Sequence, residues 1–387
     1  MNIGIFTDTY YPEVNGVANS AYQLKKSLEE LGHNVYVFTV SNPNITEQEK
    51  NVIRMPSIPF IFLKDRRISY SLVMFWKKRI EKYNLDIIHT QTEFSLGHMG
   101  KKLARYLGIP MIHTYHTIYE DYIHYLKLPN NKGIRNIVKK ISKHCCDNVE
   151  CVIVPTDKVK NLLYSYNVQK NIIVQPTGIE ISKFTHINYK HVEELKKQYK
   201  ILDSDNTMVY VGRLSEEKNL IEIINFMPYI RDIDNNVKLV IVGEGPAREM
   251  LEIRIRELNI ASNVIFTGSV PWEDVQDYYA LGKVFVSAST SETQGLTYIE
   301  ALATETPILV RNDRCLDNVL KKGINGYGYS NLMQFIQYYK QLFLEQEYIS
   351  MKHNALKSIE MYTSEKFAEN IENIYESVLR YYKYKAI

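Results

Sequence analysis

A chain of 387 residues is too long for one ordinary hydrophobic core and implies two domains. The hydrophobic fraction of 45% and charged fraction of 24% fit a soluble globular protein, and a net charge of +3 sets up no global field for nucleic acid. No apolar run reaches the ~20 residues needed to cross a bilayer, and Cys145, Cys146, Cys151 and Cys315 lack zinc-site spacing, so reduced thiols in a cytoplasmic enzyme are expected.

The N-terminus, MNIGIFTDTYYP, has no basic leader and reads as a first strand over Asn2–Phe6. A helix is predicted over Ala18–Leu31, stopped by Gly32, and NVYVFT (34–39) is the next strand. This strand–helix–strand unit begins a doubly wound α/β domain. Further strands fit Ile87–His89, Pro110–Thr114 and Cys151–Pro155, with a long helical region between the last two. Around QPTGIEISKF (175–184) the rhythm breaks, and after a Lys-rich helix it restarts. Strands are expected at MVYVGRL (208–214), KLVIVGEGP (238–246), VIFTGSV (264–270), VFVSAS (284–289) and PILV (307–310). Two Rossmann-like domains in tandem follow, 1–180 and 181–363, with a helical segment 364–387 positioned to cross back onto the first. Facing domains of this kind leave a cleft at the carboxyl ends of their strands, so the informative residues should lie just after strands.

After the strand ending near 212 comes GRLSEEKN, in which Arg213 and Lys218 flank a turn and suit one diphosphate, Arg as a fork and Lys as a point charge. Gly243 and Gly245 end the next strand and permit close backbone approach or a plain tight turn. The sharpest motif is ETQGLTYIE (292–300). Gly295 permits a turn, and the helix opening at Leu296 and Thr297 has free first-turn N–H groups for phosphate oxygens. Glu300 is placed for a ribose hydroxyl pair and Glu292 for a sugar hydroxyl; the alternative for either is a surface helix acid. The triplets Asp203-Ser204-Asp205 and Asp232-Ile233-Asp234 fall in polar segments and read as solvated turns, not as metal–nucleotide sites.

The segment HTYHTIYEDYIHY (113–125) packs three histidines, two adjacent carboxylates and four tyrosines behind a short apolar run. Zinc needs three or four ligands at suitable spacing, and a strand-then-loop context puts His113 and His116 on different faces. Aromatic core suits Tyr115 and Ile118. The functional reading aims His116 into the cleft, within reach of a sugar hydroxyl or a developing charge. Glu120 and Asp121 either shape an acceptor site or cap a helix.

The two glutamates of ETQGLTYIE, with GRLSEEKN and VGEGP, resemble the retaining glycosyltransferases of family four, which have the GT-B fold. Asn15-Gly16-Val17 resembles that family's N-terminal glycine loop facing the sugar donor, and the resemblance covers about residues 1–330. Within the family, TDTYYPEVNGVANS, HTQTEFSLGHMG, HTYHTIYEDYIHY and SETQGLTYIEAL are similar to the bacterial diacylglycerol glucosyltransferases. Thr304-Glu305 stand where that family has a small Ala-Gly-like pair, and the segment after Asn325-Gly326 diverges.

The resemblance implies transfer of a hexose, glucose from UDP-glucose, to the hydroxyl of a membrane diacylglycerol, with retention at the anomeric carbon. His116 and Glu292 would be catalytic. Gly16, Arg213, Lys218, Gly295, Leu296, Thr297 and Glu300 would hold the donor, with no cofactor and no metal. A lipid acceptor calls for a membrane surface. In KDRRISYSLVMFWKKRIEKY (64–83), Ile68, Leu72, Phe75, Trp76, Ile80 and Tyr83 recur at roughly helical spacing, flanked by Lys64, Arg66, Arg67, Lys77, Lys78, Arg79 and Lys82. Either an interfacial helix on anionic lipid or an amphipathic helix packed on the core has this pattern. The basic stretch 132–143 is a second candidate. The enzyme is expected in the cytoplasm, peripherally bound to the inner face of the cell membrane. A soluble or polymer acceptor, and a sensor that binds nucleotide sugar without turnover, are the competing readings.

Overall fold

In a computed structural model, the protein is described at all positions except 14, 44, 46–48, 61–62, 127–130 and 386–387. It divides into two compact units, Met1–Gly178 joined by the segment from Ser364 on, and Ile179–Thr363.

The first unit holds, in chain order, β1 (Asn2–Phe6), α1 (Gly16–Glu30), β2 (Asn34–Val40), β3 (Val52–Met55), β4 (Ser57–Phe60), β5 (Leu63–Ser69), α2 (Val73–Glu81), β6 (Ile87–Thr90), α3 (Ser95–Leu107), β7 (Met111–Thr114), α4 (Lys132–Cys146), β8 (Cys151–Val154), α5 (Asp157–Ser165) and β9 (Ile172–Val174). A parallel sheet runs β3-β2-β1-β6-β7-β8-β9, while β4 and β5 form a separate antiparallel ribbon. Strands buried on both faces explain the unbroken apolar runs. Phe6, Phe38, Ile88, Val152 and Val154 face one layer, with Ile80 of α2, Leu96, Met99 and Leu103 of α3, Cys146 of α4 and Leu163 of α5. Ile3, Ile5, Val35, Val37, Ile112 and Ile153 face the other, with Leu24 and Leu28 of α1.

The second unit holds α6 (Ile181–Thr185), α7 (Tyr189–Tyr199), β10 (Asn206–Val211), α8 (Leu220–Arg231), β11 (Val237–Val242), α9 (Arg248–Glu257), β12 (Val264–Gly268), α10 (Val275–Tyr279), β13 (Val284–Ser287), α11 (Leu296–Ala303), β14 (Ile308–Arg311), β15 (Gly326–Tyr329), α12 (Leu332–Leu342) and α13 (Glu345–Lys357). Its parallel sheet runs β12-β11-β10-β13-β14-β15, the Rossmann order. Val209, Val240, Phe285 and Ile308 pack on one face, and Met208, Tyr210, Leu239, Ile241 and Val286 on the other.

The chain leaves the first unit after Gly178 and returns at Ser364. The two passages run side by side: Ile179 N donates to Tyr362 O at 2.8 Å, and Ile179 bridges Thr363. The last helix, α14 (Ser364–Lys385), then covers the α1 face of the first sheet through Phe367, Ala368, Ile371, Tyr375 and Val378.

The helix considered for 64–83 is corrected. Residues 63–69 are strand β5, with Ile68 opposite Ile58, and only Val73–Glu81 is helical. The apparent helical spacing joined a strand residue to a helix. Arg66 and Arg67 are spent within the unit: Arg66 donates to Thr9 Oγ1 and pairs with Glu13, each at 3.1 Å, and Arg67 donates to Ser57 Oγ at 2.9 Å. The side chain of Lys64 lies outside the described residues.

Candidate active site

In the second unit, the order of the sheet reverses between β10 and β13, the switch point where open α/β sheets bind ligands. The loops leaving these two strands carry Arg213, Lys218 and Glu292. They are tied together: Ser291 Oγ donates to Glu217 O at 3.2 Å, and Lys218 Nζ donates to Glu292 Oε1 in a close ion pair. Arg213 stands exposed at the rim of this loop, and its carbonyl accepts from the buried Tyr210 hydroxyl at 3.0 Å.

Gly295 caps α11 in the left-handed region, at φ +77° and ψ 59°. A Cβ there would lie 2.3 Å from a ring carbon of the buried Tyr298, so the turn requires glycine. Leu296 and Thr297 follow as the first helical residues, where N–H groups have no partner inside the helix. Glu300, one turn in, is buried and accepts from Tyr279 Oη at 2.7 Å. Burial raises its carboxyl, while the Tyr279 bond and nearby Lys183 pull it back. Lys183 was not singled out by sequence, being one cation in a Lys-rich region. It donates to Trp272 O at 2.6 Å, lies 3.4 Å over the Trp272 ring, and is lowered by burial to about 8, with Glu300 the first charge opposing that fall.

The glycines after β11 allow a close approach within the unit. Cβ atoms at Gly243 and Gly245 would lie 2.0 and 2.2 Å from the carbonyl oxygens of Gly212 and Leu214. They let the loops after β10 and β11 touch backbone to backbone. The Asp triplets are turns: Asp205 accepts from Leu202 N, Asp203 pairs with Lys196, and Asp234 accepts from Asn206 Nδ2. Among the described residues, no three His, Cys, Asp or Glu side chains gather to hold a metal ion.

In the first unit the switch point lies between β1 and β6. Gly16 is the first residue of α1, whose cap Asn15 accepts from Val17 N and Ala18 N. Asn15 is itself fixed through Thr9, which bonds Glu13 at 2.6 Å. The loop after β6 is anchored by buried Asp8, which accepts from Thr92 Oγ1 at 2.6 Å and from Leu96 N. His113 lies buried in β7, beside Glu93 at 3.4 Å, whereas His116 lies past the strand end, half-buried. His116 Nε2 is 2.6 Å from Gln91 Oε1. Burial, with His113 nearby, brings its imidazole down to about 3, so it is neutral at ordinary pH. Glu120 and Asp121 open a 3₁₀ helix, Tyr119–Leu126, and Glu120 accepts from Tyr166 Oη at 2.6 Å. The side chains of Tyr122, His124 and Tyr125 lie outside the described residues.

Trp76, one of the residues considered for a membrane surface, packs on the core, 6.3 Å edge-on to Phe38. Ile80 and Tyr83 also face inward. Met74 and Phe75 point away, 67% and 63% exposed. Lys78 is exposed, Lys77 lies over Tyr106, and Arg79 lies over Trp76. On the same side of the sheet, α4 displays Ile137 and Ile141 among Arg135, Lys140 and His144. Among the described residues, no helix is long and apolar enough to cross a membrane.

Residues 14–183 match the family model Glycosyltransferase Family 4, and residues 191–355 match Glycosyl transferases group 1. The chain is 41% identical over 332 residues to the alpha-monoglucosyldiacylglycerol synthase of Streptococcus pneumoniae, covering 84% of this chain and 74% of that protein. It is 32% identical over 389 residues to the synthase of the same name from Acholeplasma laidlawii, covering 97% and 96%. In structure it resembles Anabaena HepE in complex with UDP, with a TM-score of 0.78 at 14% identity, covering 97% of this chain and 100% of that one. Sucrose-phosphate synthase from Thermosynechococcus elongatus also matches, with a TM-score of 0.78 at 19% identity, covering 98% and 99%. These two likenesses show the GT-B fold. With its paired Rossmann-like units and its identity to both synthases over most of their length, the chain belongs to family four of the retaining glycosyltransferases.

Proposed function

We propose that this glycosyltransferase moves glucose from UDP-glucose to the hydroxyl of a membrane diacylglycerol. The observation that carries the acceptor is the 41% identity to the pneumococcal synthase, which is named for that product. In the second unit, Arg213, Lys218 and the first-turn N–H groups of Leu296 and Thr297 take the diphosphate, by opposite charge and by the helix's positive end. Lys218 joins this group to Glu292, which orients the sugar. Glu300 accepts from the ribose hydroxyls, its carboxylate held in place by Tyr279. In the first unit, His116 acts as a neutral hydrogen-bonding group at the reacting centre, the helix starting at Gly16 serves the donor, and Glu120 and Asp121 border the acceptor. The diphosphate's charge is met by these cations and N–H groups, so no metal or cofactor is assigned.

The acceptor sits in a membrane, and the reading includes a peripheral contact with its inner, anionic face. Phe75 and Met74, with Lys77, Lys78 and Arg79, supply apolar tips in a basic surround, and α4 offers a second such patch. Each basic residue near an anionic surface contributes about 1 kcal/mol.

The test is transfer of radiolabel from UDP-glucose to diacylglycerol in mixed micelles, with and without anionic lipid, resolved by thin-layer chromatography. A labelled glycolipid whose yield rises with anionic lipid, and falls in a Met74→Ser/Phe75→Ser variant, is expected. Release of UDP with no lipid product would turn the assignment to a soluble or polymer acceptor.

A further inference from the structure

His116 does not stand alone. Its Nε2 is 2.6 Å from Gln91 Oε1, and Gln91 Nε2 is 3.1 Å from His89 Nε2. His89 Nε2 is also 2.7 Å from Thr114 Oγ1, and its Nδ1 is 2.7 Å from the hydroxyl of Tyr375 in α14. His89, Gln91, Thr114 and Tyr375 are all buried, where losing a hydrogen-bond partner is costly. A chain of hydrogen bonds therefore runs from the last helix, under the sheet's end, to the residue assigned to the reacting centre.

The donors and acceptors in this chain are coupled. Each neutral imidazole has one N–H and one lone pair, and a glutamine amide has one donor end and one acceptor end. In the observed arrangement Gln91 turns its oxygen to His116, so the proton of His116 sits on Nε2. Gln91 turns its amide nitrogen to His89 Nε2, and the Thr114 hydroxyl donates to the same nitrogen, so His89 Nε2 accepts, and its proton sits on Nδ1 and is donated to Tyr375 Oη. In the alternative, Thr114 Oγ1 turns to accept from His89 Nε2, and the Gln91 amide N–H, which would then face that N–H, must turn away. His89 would carry its proton on Nε2, Gln91 would flip, and His116 would move its proton to Nδ1.

We propose that Gln91, His89 and Tyr375 are positioning residues that fix the orientation and the proton of His116, leaving its Nδ1 lone pair for the substrate. This deepens the reading of His116 as a residue of the reacting centre and rests on it. The neutrality of both rings agrees with the chain. Burial lowers His89 well below its ordinary value, with His113 and His116 adding to the effect, and burial also lowers His116. Holding an imidazole in one tautomer through a buried partner is a strong lever, since the wrong tautomer presents a donor where a lone pair is needed.

Tyr375→Phe removes the acceptor of the His89 Nδ1–H. A buried N–H without a partner is costly, so His89 is expected to move its proton to Nε2, where Thr114 Oγ1 accepts it; the Gln91 amide N–H then meets that N–H, so Gln91 is expected to flip and His116 to change tautomer. The direct readout is the ¹⁵N spectrum of ring-labelled histidine in the full-length protein, with His116 assigned by its loss in His116→Asn. The expected result is a shift of the His116 proton from Nε2 to Nδ1, with kcat falling roughly ten- to hundredfold and KM for UDP-glucose unchanged within about twofold. Gln91→Glu should rescue Tyr375→Phe, because a carboxylate accepts from both rings and cannot flip. The double variant should return the His116 proton to Nε2 and recover most of kcat. A merely structural role for Tyr375 gives no such rescue.

Should Tyr375→Phe fail to fold, Gln91→Leu breaks the chain with α14 intact, and is expected to leave His116 in mixed tautomers with a lowered kcat. If either folded variant keeps the His116 proton on Nε2 and a wild-type kcat, the relay is wrong. If His116→Asn itself keeps kcat, the assignment of His116 is wrong, and the tautomer spectra still judge the relay.

Discussion

Replacing Gly295 by alanine adds one methyl group at the point where β13 hands over to α11. Two costs follow from the structure. The backbone there has φ +77°, a conformation that costs an L-residue about 1–2 kcal/mol. The new Cβ would lie 2.3 and 2.4 Å from two ring carbons of Tyr298. That ring has no room to retreat: it is 1% exposed and packs against Phe285 at 5.9 Å. Overpacking of this kind costs about 1–3 kcal/mol. The sum, about 2–5 kcal/mol, is a large part of the roughly 5–15 kcal/mol that holds a domain together. The chain has two tryptophans, Trp76 in the first unit and Trp272 in the second. In a Trp76→Phe background, fluorescence therefore reports unfolding of the second unit. The urea midpoint is expected to fall by roughly 1–2 M, and UDP affinity by calorimetry to fall with it as the α11 terminus shifts. A midpoint within about 0.2 M of the parent would refute the argument that this turn demands glycine.

Four further outcomes follow. Glu292→Gln should lower kcat roughly 100-fold. Combined with Lys218→Met it should lose less than the sum of the single losses, because the two side chains pair; strict additivity in a double-mutant cycle would contradict the pairing. Glu305 occupies a left-handed position at φ +56°, so Glu305→Asn should raise the second unit's stability by up to about 1 kcal/mol, and a lower urea midpoint would count against it. His116 is lowered from its ordinary 6.5 to about 3. Within that window the unfolded chain binds more protons than the folded one, so stability should fall as pH drops from about 6.5, less steeply in His116→Asn; equal slopes would sink the point. Met74→Ser/Phe75→Ser should weaken sedimentation with anionic vesicles while UDP affinity stays unchanged, and undiminished sedimentation would move the membrane contact elsewhere.

The buried parallel strands were legible because burial on both faces leaves apolar runs, as in the last four residues of β11, Leu239 to Val242, and in Cys151–Val154. Strands β3, β4, β5, β9 and β15 escaped notice for physical reasons. They are short, half-exposed or broken by Pro59 and by the glycines of GYGY, so neither alternation nor an apolar run marks them. Around Trp76, sequence spacing detected amphipathicity but not which neighbour the apolar side would meet. The residues from Glu292 to Glu300 were readable because a single turn and helix carry them. The partners of His116 were not, since Tyr375 stands 286 positions from His89 and only the fold brings them together. Lys183 likewise gains its meaning from Trp272 and Glu300.

The return of α14 to the first unit has a consequence for synthesis. The ribosome releases β1 through β9 early, yet the apolar face that Phe367, Ile371 and Tyr375 cover must wait for the whole of Ile179–Thr363 to be made. At about 5–20 residues per second that wait is on the order of 10–40 s. During it the second unit, contiguous in sequence, can complete its own core, while the first displays the part of its apolar face that α1 leaves for α14. A premature stop shortly before residue 364 would therefore yield a finished second unit attached to a first unit that a chaperone or protease can recognise.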